Sequence, residues 1–251
     1  MSPTNPWVVF PRPDPDASMR LFCFSHAGAG ASTFRPWGAH ASPGIEICAV
    51  QYPGRETRLR ESPFRDIGAL VADMHSALLP YLDRQFICFG HSVGALICFE
   101  WVRYLRRQGC PLPVRLFVSG RQAPQVPLPL PWIHTLPDSG LKAELRSYGG
   151  TPEVVLQSNE FMAIYLPILR ADLAINETYA YLPDEPIAAP ISIFGGLQDH
   201  RVSFNSLEAW DKQTTKGSKL RLLPGGHLFI RDSSKAILQA IAEDIVTVAT
   251  Y

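Results

Sequence analysis

The chain has 251 residues, of which 46% are hydrophobic and 18% charged, and its 23 basic and 23 acidic side chains give no net charge. This length suits one large α/β domain and does not demand a second one. The balanced charge argues against general nucleic-acid binding. The apolar runs fall short of the roughly 20 residues that a membrane span needs, and the first residues lack a secretory signal pattern. We therefore expect no nucleic-acid partner and no membrane association.

The five cysteines are an odd number and lack the spacing of metal ligands. Three of them lie in strand-like runs and a fourth lies in a helix-like run, as expected for thiols that pack in a core. Thiols of this kind are typical of a reducing compartment. The sequence therefore predicts a cytoplasmic protein.

Apolar runs and amphipathic runs alternate through the first 120 residues. Strands are predicted at 20–25, 45–50, 86–89 and 114–119, and helices at 67–82 and 95–108. Apolar positions in the first of these helices recur at helical spacing. Strands that alternate with helices predict a mostly parallel sheet with helical crossovers.

The alternation stops after Gly120. Four prolines fall between positions 124 and 131, helical segments follow to about Tyr181, and the next strand is predicted at 190–195. This interval is too long for an ordinary connection. We expect one domain over 1–251, with residues 122–185 forming a helical lid inserted above the sheet. The remaining predicted elements are a helix at 204–212, a strand at 219–223 and a helix at 234–248.

The segment Gly90-His91-Ser92-Val93-Gly94 stands between a predicted strand and a predicted helix. A Gly-x-Ser-x-Gly turn in that position is the nucleophile elbow of the α/β-hydrolase fold. The five-residue pattern alone is weak, since glycine makes up about 7% of residues in general, so its partners must carry the argument. Together with the candidate base and acid described next, the segment predicts an α/β-hydrolase fold with Ser92 as the nucleophile.

A serine nucleophile needs a histidine base and an acid, which follow it in the order Ser, Asp or Glu, His in this fold. His227 fits the base, because it follows the last predicted strand and should lie at the same sheet edge as Ser92. Asp199 fits the acid, because it directly follows the strand that begins near Ile191. The preceding strand, which carries the acid in some related enzymes, is followed here by no carboxylate. Two weaker candidates for the acid are Asp172 and Asp184.

The tetrahedral intermediate of acyl transfer needs two backbone N–H donors. The amide of Val93, directly after the nucleophile, is one candidate. The second should come from the loop after an early strand, and Ala27 is the best candidate there because glycines follow it. His26 is expected to be a buried supporting residue without a catalytic role.

Six segments together resemble one family, the type II thioesterases of polyketide and non-ribosomal peptide assembly lines. The medium-chain acyl-carrier hydrolases of animals share the pattern. The segments occur in family order along nearly the whole chain, and the first has serine where proline is common. They are Phe24-Ser-His-Ala-Gly28, Gln51-Tyr-Pro-Gly-Arg-Glu56, Gly90-His-Ser-Val-Gly-Ala95, Tyr148-Gly-Gly-Thr-Pro152, Phe194-Gly-Gly-Leu-Gln-Asp199 and Pro224-Gly-Gly-His-Leu-Phe229.

The resemblance implies an enzyme that hydrolyses acyl thioesters on the phosphopantetheine arm of carrier proteins and so restores stalled synthases. It implies no metal and no cofactor of the enzyme itself. We expect a monomer whose partners are acyl or peptidyl carrier domains. Acidic carrier domains could dock on a basic helix surface formed by Arg103, Arg106 and Arg107.

Other functions remain open at this point. A medium-chain fatty acyl-carrier-protein hydrolase would use the same triad, and so would a small-ester hydrolase or a cofactor-free peroxidase on the same fold. A non-catalytic interaction protein is a further alternative. The Tyr-Pro-Gly-Arg and Gly-Gly-Thr-Pro segments favour the thioesterase, because a general esterase has no evident need of them.

Overall fold

The computed structural model describes residues 5–128, 131–149 and 151–246. Seven strands form one sheet in the order β1-β3-β2-β4-β5-β6-β7, with β1 antiparallel and the other neighbours parallel. Their bounds are β1 Val8–Val9, β2 Met19–Phe24, β3 Ile45–Val50, β4 Gln85–His91, β5 Leu116–Ser119, β6 Ile191–Gly196 and β7 Ser218–Leu223. The predicted α/β-hydrolase fold is confirmed. The two-residue strand β1, which pairs with Val50 and Ala49, is too short for a sequence pattern to reveal.

The helices lie on both faces of the sheet. Their bounds are α1 Ile67–Leu78, α2 Val93–Arg107, α3 Asp138–Tyr148, α4 Glu153–Gln157, α5 Asn159–Glu177, α6 Phe204–Glu208 and α7 Ser234–Val246. Two predicted helices are shorter than expected: the one at 67–82 ends in a 3-10 turn, Leu79–Tyr81, and the one at 204–212 ends in another, Ala209–Gln213. Pro80 lacks an N–H and so cannot continue α1 as an α-helix. The last two residues of the helix predicted at 234–248 lie outside the described residues.

Alternate residues of the buried strands pack into two different cores. Phe22 and Phe24 of β2 pack with α1 and α2 on one face of the sheet. Leu21 and Cys23 pack on the other face, against α7 and the 3-10 segment Ala31–Ala39. Strands that are buried on both faces have no polar positions to alternate with apolar ones. This explains why the central strands are continuous apolar runs in the sequence.

Three helices, α3, α4 and α5, lie between β5 and β6, where the sequence predicts an inserted lid. They share an apolar cluster of their own, which includes Leu141, Leu145, Leu156, Met162, Leu166, Leu169 and Leu173. The carboxyl end of α5 joins the main core through Ile175. That residues 122–185 form a separate lid unit stays a prediction. Residues 129, 130 and 150 of this range lie outside the described residues.

The five cysteines are free thiols, and four of them are buried in the core. Over the described ranges 5–128, 131–149 and 151–246, the structure contains no helix long and apolar enough to cross a membrane. Since β2, β4, β6 and β7 are parallel, the loops after their carboxyl ends share one edge of the sheet. Residues far apart in the sequence meet at this edge.

Candidate active site

Ser92 sits on the turn between β4 and α2 with φ 55° and ψ −124°. A non-glycine residue in this region stores backbone strain, which clusters at functional sites. The two glycines that flank the turn are sterically required. A Cβ at Gly90 would lie 2.3 Å from the carbonyl oxygen of Gly94, and a Cβ at Gly94 would lie 2.2 Å from that of Phe24. The close packing of the helix against the sheet therefore dictates the Gly-x-Ser-x-Gly pattern.

The structure brings Ser92, His227 and Asp199 into one hydrogen-bonded chain. Oγ of Ser92 lies 3.0 Å from Nε2 of His227, and Nδ1 of the same ring lies 2.8 Å from Oδ2 of Asp199. A carboxylate accepts only, so Nδ1 carries the proton and Nε2 is left to accept one from the hydroxyl. The arrangement matches that of a serine nucleophile, its base and an orienting acid. The catalytic roles of these three residues stay predictions.

Asp199 is kept charged although its side chain is only 1% exposed. Burial by itself would raise the pKa of Asp199, but hydrogen bonds from His227 and from the amides of Arg201 and Val202 outweigh it and hold that pKa below its usual value. A carboxylate that accepts several hydrogen bonds is stabilised in its ionised form. Asp199 is thus a fixed negative charge beneath the His227 ring.

The two predicted oxyanion donors, Ala27 and Val93, line the same cavity as Ser92 and His227. Val93 is the first residue of α2, so its N–H has no acceptor within the helix and is available to a ligand. Ala27 follows β2 in the loop that faces the elbow. Their roles as donors stay predictions.

His26, which follows β2 in the same loop as Ala27, is deeply buried. Burial, together with the electrostatic interaction with Arg231 and His227, lowers the pKa of His26 to about 3. The ring is therefore neutral at physiological pH, which agrees with the supporting role predicted for it.

Two cavities include the Ser92 side chain. One, of about 400 Å³, has a mixed lining in which Arg121, Gln122 and Arg201 stand beside apolar residues such as Leu128 and Leu136. The other, of about 70 Å³, extends beneath the inserted helices and is lined there by Leu141, Leu145, Tyr165, Leu169 and Leu173. Ser92 thus stands where two cavities meet, and we call the one lined by more charged side chains the polar cavity and the other the apolar cavity.

Two side chains at this site had no role in the sequence analysis. The ring of Tyr148, from the Tyr-Gly-Gly-Thr-Pro segment, lies 5.5 Å from the ring of His227. The guanidinium of Arg201 stacks on that tyrosine at 3.6 Å and bonds Glu144 at 2.8 Å. These contacts join helix α3 to the loop that carries Asp199. In the sequence, the Tyr-Gly-Gly-Thr-Pro segment pointed to this region, but the segment does not indicate which residues Tyr148 contacts.

His91, directly before the nucleophile, is a third residue at this site to which the sequence assigned no role. Its ring is fully buried. Burial, together with the electrostatic interaction with the neighbouring His227 and His26 rings, lowers the pKa of His91 well below its ordinary value, so the ring is neutral. Nδ1 of His91 accepts a hydrogen bond from the Ser119 hydroxyl at 2.9 Å. No local signal in the sequence distinguishes this histidine from a surface residue.

The weaker candidates for the acid lie in other interactions. Asp172 is buried on α5 and forms a bidentate pair with Arg55. Asp184 pairs with Arg106 at 2.6 Å on the far side of α2. The carboxylate that bonds Nδ1 of His227 in the structure is that of Asp199, the candidate that the sequence favours.

The three arginines of α2, for which the sequence predicts a basic docking surface, differ from one another in exposure in the structure. Arg103 is 4% exposed and donates to Glu100 and to the carbonyl of Leu182, both at 2.6 Å. Arg106 donates to the carbonyl of Glu185. Arg107 remains about half exposed. The docking role proposed for Arg103 is corrected, because its charge is used inside the protein.

Comparison with known proteins agrees with this geometry. A sequence model of the Thioesterase domain family matches residues 19–245. The gramicidin S biosynthesis protein GrsT of Aneurinibacillus migulanus is 41% identical over 245 residues, covering 98% of this chain and 96% of its own. The medium-chain S-acyl fatty acid synthase thioesterase of Rattus norvegicus is 31% identical over 86% of this chain and 83% of its own.

A solved structure is similar over nearly the whole chain. The type II thioesterase BorB from the borrelidin biosynthetic cluster superposes with a TM-score of 0.87 at 35% identity, covering 94% of this chain and 96% of its own. The matched family spans the elbow, the inserted helices and the loops of Asp199 and His227. The chain belongs to the thioesterase family, and it is a hydrolase that acts on thioester bonds.

Proposed function

We propose that this chain is a type II, editing thioesterase, which removes acyl groups from the phosphopantetheine arm of carrier proteins in polyketide or non-ribosomal peptide biosynthesis. The observation that carries the proposal is the hydrogen-bonded chain of Ser92, His227 and Asp199, set between a polar and an apolar cavity. An acyl thioester on a pantetheine arm has one apolar end and one polar end. The two cavities suit its two halves.

In the first half of the reaction, Nε2 of His227 takes the proton from Oγ of Ser92 as that oxygen attacks the thioester carbonyl. Asp199 stabilises the imidazolium that forms. The amides of Ala27 and Val93 hold the negative oxygen of the tetrahedral intermediate. The intermediate collapses, the carbon–sulfur bond breaks, and the proton on His227 goes to the departing pantetheine thiolate.

In the second half, a water molecule gives a proton to His227 and attacks the carbonyl carbon of the acyl-serine. The second tetrahedral intermediate releases Oγ of Ser92, which takes back the proton, and a free carboxylic acid leaves. The enzyme is regenerated, and neither a metal nor a cofactor of its own takes part. The carrier protein recovers its free thiol.

We place the acyl group in the apolar cavity beneath α3 and α5 and the pantetheine arm in the polar cavity. The apolar cavity has a volume of only about 70 Å³ with the inserted helices in their present position. We further propose short acyl groups as the preferred substrates, and this preference distinguishes the proposal from the alternative of a medium-chain fatty acyl-carrier-protein hydrolase.

We also propose that the enzyme works as a monomer in the cytoplasm, with carrier domains as its partners. The five free thiols support a reducing compartment, because four of them are buried where oxidation would disturb the core. A monomer leaves both cavities accessible to the arm of a carrier protein.

The test compares three substrates under the same conditions: an acetyl group on a carrier protein, a decanoyl group on the same carrier, and a nitrophenyl acetate. The proposal expects the highest kcat/KM for acetyl-carrier protein. Preference for the decanoyl carrier would favour the medium-chain hydrolase. Equal activity on the nitrophenyl ester and on the acetyl group of the carrier protein would support a general ester hydrolase instead.

A further inference from the structure

A buried ion pair joins the inserted helix α5 to the segment Gln51-Tyr-Pro-Gly-Arg-Glu56. The two terminal nitrogens of Arg55 lie 2.6 and 2.9 Å from the two carboxylate oxygens of Asp172. Both side chains are less than 10% exposed. Such a parallel, two-bond pair fixes both position and orientation. It connects residues that are 117 positions apart.

Asp172 also reaches the loop that carries the predicted oxyanion donor. The backbone N–H of Gly28 donates to Oδ2 of Asp172 at 2.7 Å, and Arg55 donates to the carbonyl of Ala29 at 3.1 Å. The N–H of Gly28 belongs to the peptide group that joins Ala27 to Gly28. The carboxylate therefore fixes the plane of that peptide, which directly follows the His26–Ala27 peptide that carries the N–H of Ala27.

The same loop has little freedom to move toward α5. Gly28 has φ +75°, and a Cβ on it would lie 2.4 Å from the hydroxyl oxygen of Tyr165, which lies two turns before Asp172 on the same face of α5. On the other side, Oε1 of Gln51 accepts the N–H of Ala31 at 3.1 Å. The loop after β2 is thus held between α5 and the Gln51–Glu56 segment.

A charge buried this deeply is costly, and apolar side chains of similar volume often stabilise a protein as well as a buried ion pair does. The Arg55–Asp172 pair has a function beyond stability if catalysis needs its hydrogen bonds to the loop at Gly28 and Ala29. Preorganised donors stabilise a developing oxyanion because they need no rearrangement during the reaction. The hydrogen bond from Gly28 to Asp172 supplies that organisation for Ala27.

We propose that Asp172, oriented by Arg55, is a positioning residue that sets the backbone amide of Ala27 for the oxyanion. It touches the loop and does not touch the reacting atoms. This inference rests on the proposed thioester hydrolysis, and it assigns the Gln51–Glu56 segment a place in the chemistry. Asp172 acts equally in forming and in breaking down the acyl-serine, because each passes through a tetrahedral oxyanion.

The experiment uses the full-length chain with the double substitution Arg55→Met/Asp172→Leu. Replacing both charges with apolar groups avoids a lone buried charge, so this variant is expected to fold. The matched control is Arg221→Met/Asp244→Leu. Arg221 and Asp244 also form a bidentate pair, at 2.6 Å, but Asp244 bonds Ser192 near the amino end of β6, away from the edge that carries Ser92. The single substitution Asp172→Asn is measured beside them.

The first readout is the split between kcat and KM. We expect the Arg55/Asp172 variant to lose about 10- to 100-fold in kcat with a change of less than about threefold in KM, since a donor is misplaced and not removed. The control pair is expected to keep wild-type kcat. The second readout is the affinity for a trifluoromethyl ketone analogue, to which the Ser92 hydroxyl adds reversibly to give a tetrahedral oxyanion. Its affinity should fall in parallel with kcat, while that of the carboxylic acid product should stay within about threefold.

A purely structural role for the pair predicts a different pattern. The affinities for the ketone and the acid would then fall together, or KM would rise while kcat stayed constant. Either result would overturn the inference, and so would full activity in a folded Arg55→Met/Asp172→Leu variant. If that variant does not fold, the ratio of the two affinities in Asp172→Asn decides the question by the same criterion.

Failure of the proposed function is recognised separately, in the wild-type protein. If the wild type cleaves a nitrophenyl ester and leaves carrier-bound acyl groups intact, the thioesterase proposal fails. The positioning role is then still measured on the ester, because ester hydrolysis by Ser92 passes through the same oxyanion. The wild-type comparison thus tests the substrate, and the variants test Asp172.

Discussion

Nε2 of His91 donates a hydrogen bond to the backbone carbonyl oxygen of His227 at 2.9 Å. The carbonyl can only accept, so the ring carries its proton on Nε2 and accepts from Ser119 through Nδ1. The residue directly before the nucleophile therefore holds the backbone of the base. The elbow positions Ser92 and, through its neighbour, also His227.

We expect His91→Leu to weaken both the fold and the activity. The substitution leaves the His227 carbonyl and the Ser119 hydroxyl without this partner, and each such loss costs about 1–3 kcal/mol. The free energy of unfolding, measured in urea, should fall by about 2–6 kcal/mol. We expect kcat to fall by about tenfold, because the base is less well placed. His75→Leu is the control, since His75 is also a buried histidine but lies on α1. Unchanged kcat in His91→Leu would contradict the positioning role.

Ser92→Ala should abolish turnover and leave the fold intact. The nucleophile is lost, but the methyl group fits wherever the serine side chain does, and removing the hydroxyl leaves the paired His227 and Asp199 in place. We expect a rate at least about 10³-fold below wild type, from loss of the covalent route. Mass spectrometry of a reaction stopped early should show an acylated wild type and no acylated variant. Acylation at another residue of the variant would place the nucleophile elsewhere.

Asp199→Asn should reduce kcat by about 10⁴-fold, as loss of the acid does in the serine-protease triad. An amide at this position can donate to Nδ1, which stabilises the wrong tautomer of His227. The exposed Asp232→Asn serves as the control for loss of one negative charge. Near wild-type kcat in a folded Asp199→Asn protein would mean that another group orients His227.

The stability of the protein should fall as the pH is lowered below about 6.5, in part because of His26. Its pKa is about 3 in the folded chain, against an ordinary value near 6.5, so the unfolded chain binds a proton that the folded one does not. This contribution is fully present above pH 6.5 and amounts to roughly 5 kcal/mol lost by pH 3. The pKa of buried His91 is lowered as well and acts in the same direction.

His26→Gln removes this titrating group and keeps a polar side chain. The free energy of unfolding, measured by urea at several pH values, should then depend less steeply on pH between 6.5 and 3 than in the wild type. A substitution of His40, an exposed histidine, is measured beside it as the control. Equal slopes in His26→Gln and wild type would show that His26 is protonated in the folded state over this range.

Arginines of α2 should respond differently to charge reversal. Arg107→Glu is expected to fold and, if carrier proteins dock on this surface, to raise KM for carrier-bound substrates without changing KM for free thioesters. Arg103→Glu should destabilise the protein by about 3–5 kcal/mol, because it leaves Glu100 facing a second buried carboxylate. Thermal unfolding and the two KM values separate these outcomes. An unchanged KM for Arg107→Glu would place the docking surface elsewhere.

The sequence by itself determined the order of strands and helices, the elbow and the three side chains that meet there. These features are local: glycine is required where backbones touch, and the last residue of a parallel strand is carried to a common edge. Local patterns did not reveal strand β1, because two residues are too few to show a periodicity. They also did not reveal the 3-10 turns that end two of the predicted helices.

Only the tertiary structure decided what the remaining polar side chains do. The sequence presented Asp172 as a possible acid, Arg103 as a docking residue and His91 as a neighbour without a role. The partners of these residues are Arg55, Leu182 and His227, which lie 117, 79 and 136 positions away. A hydrogen bond over such a separation depends on how the helices pack on the sheet. No pattern within a short stretch of sequence can contain it.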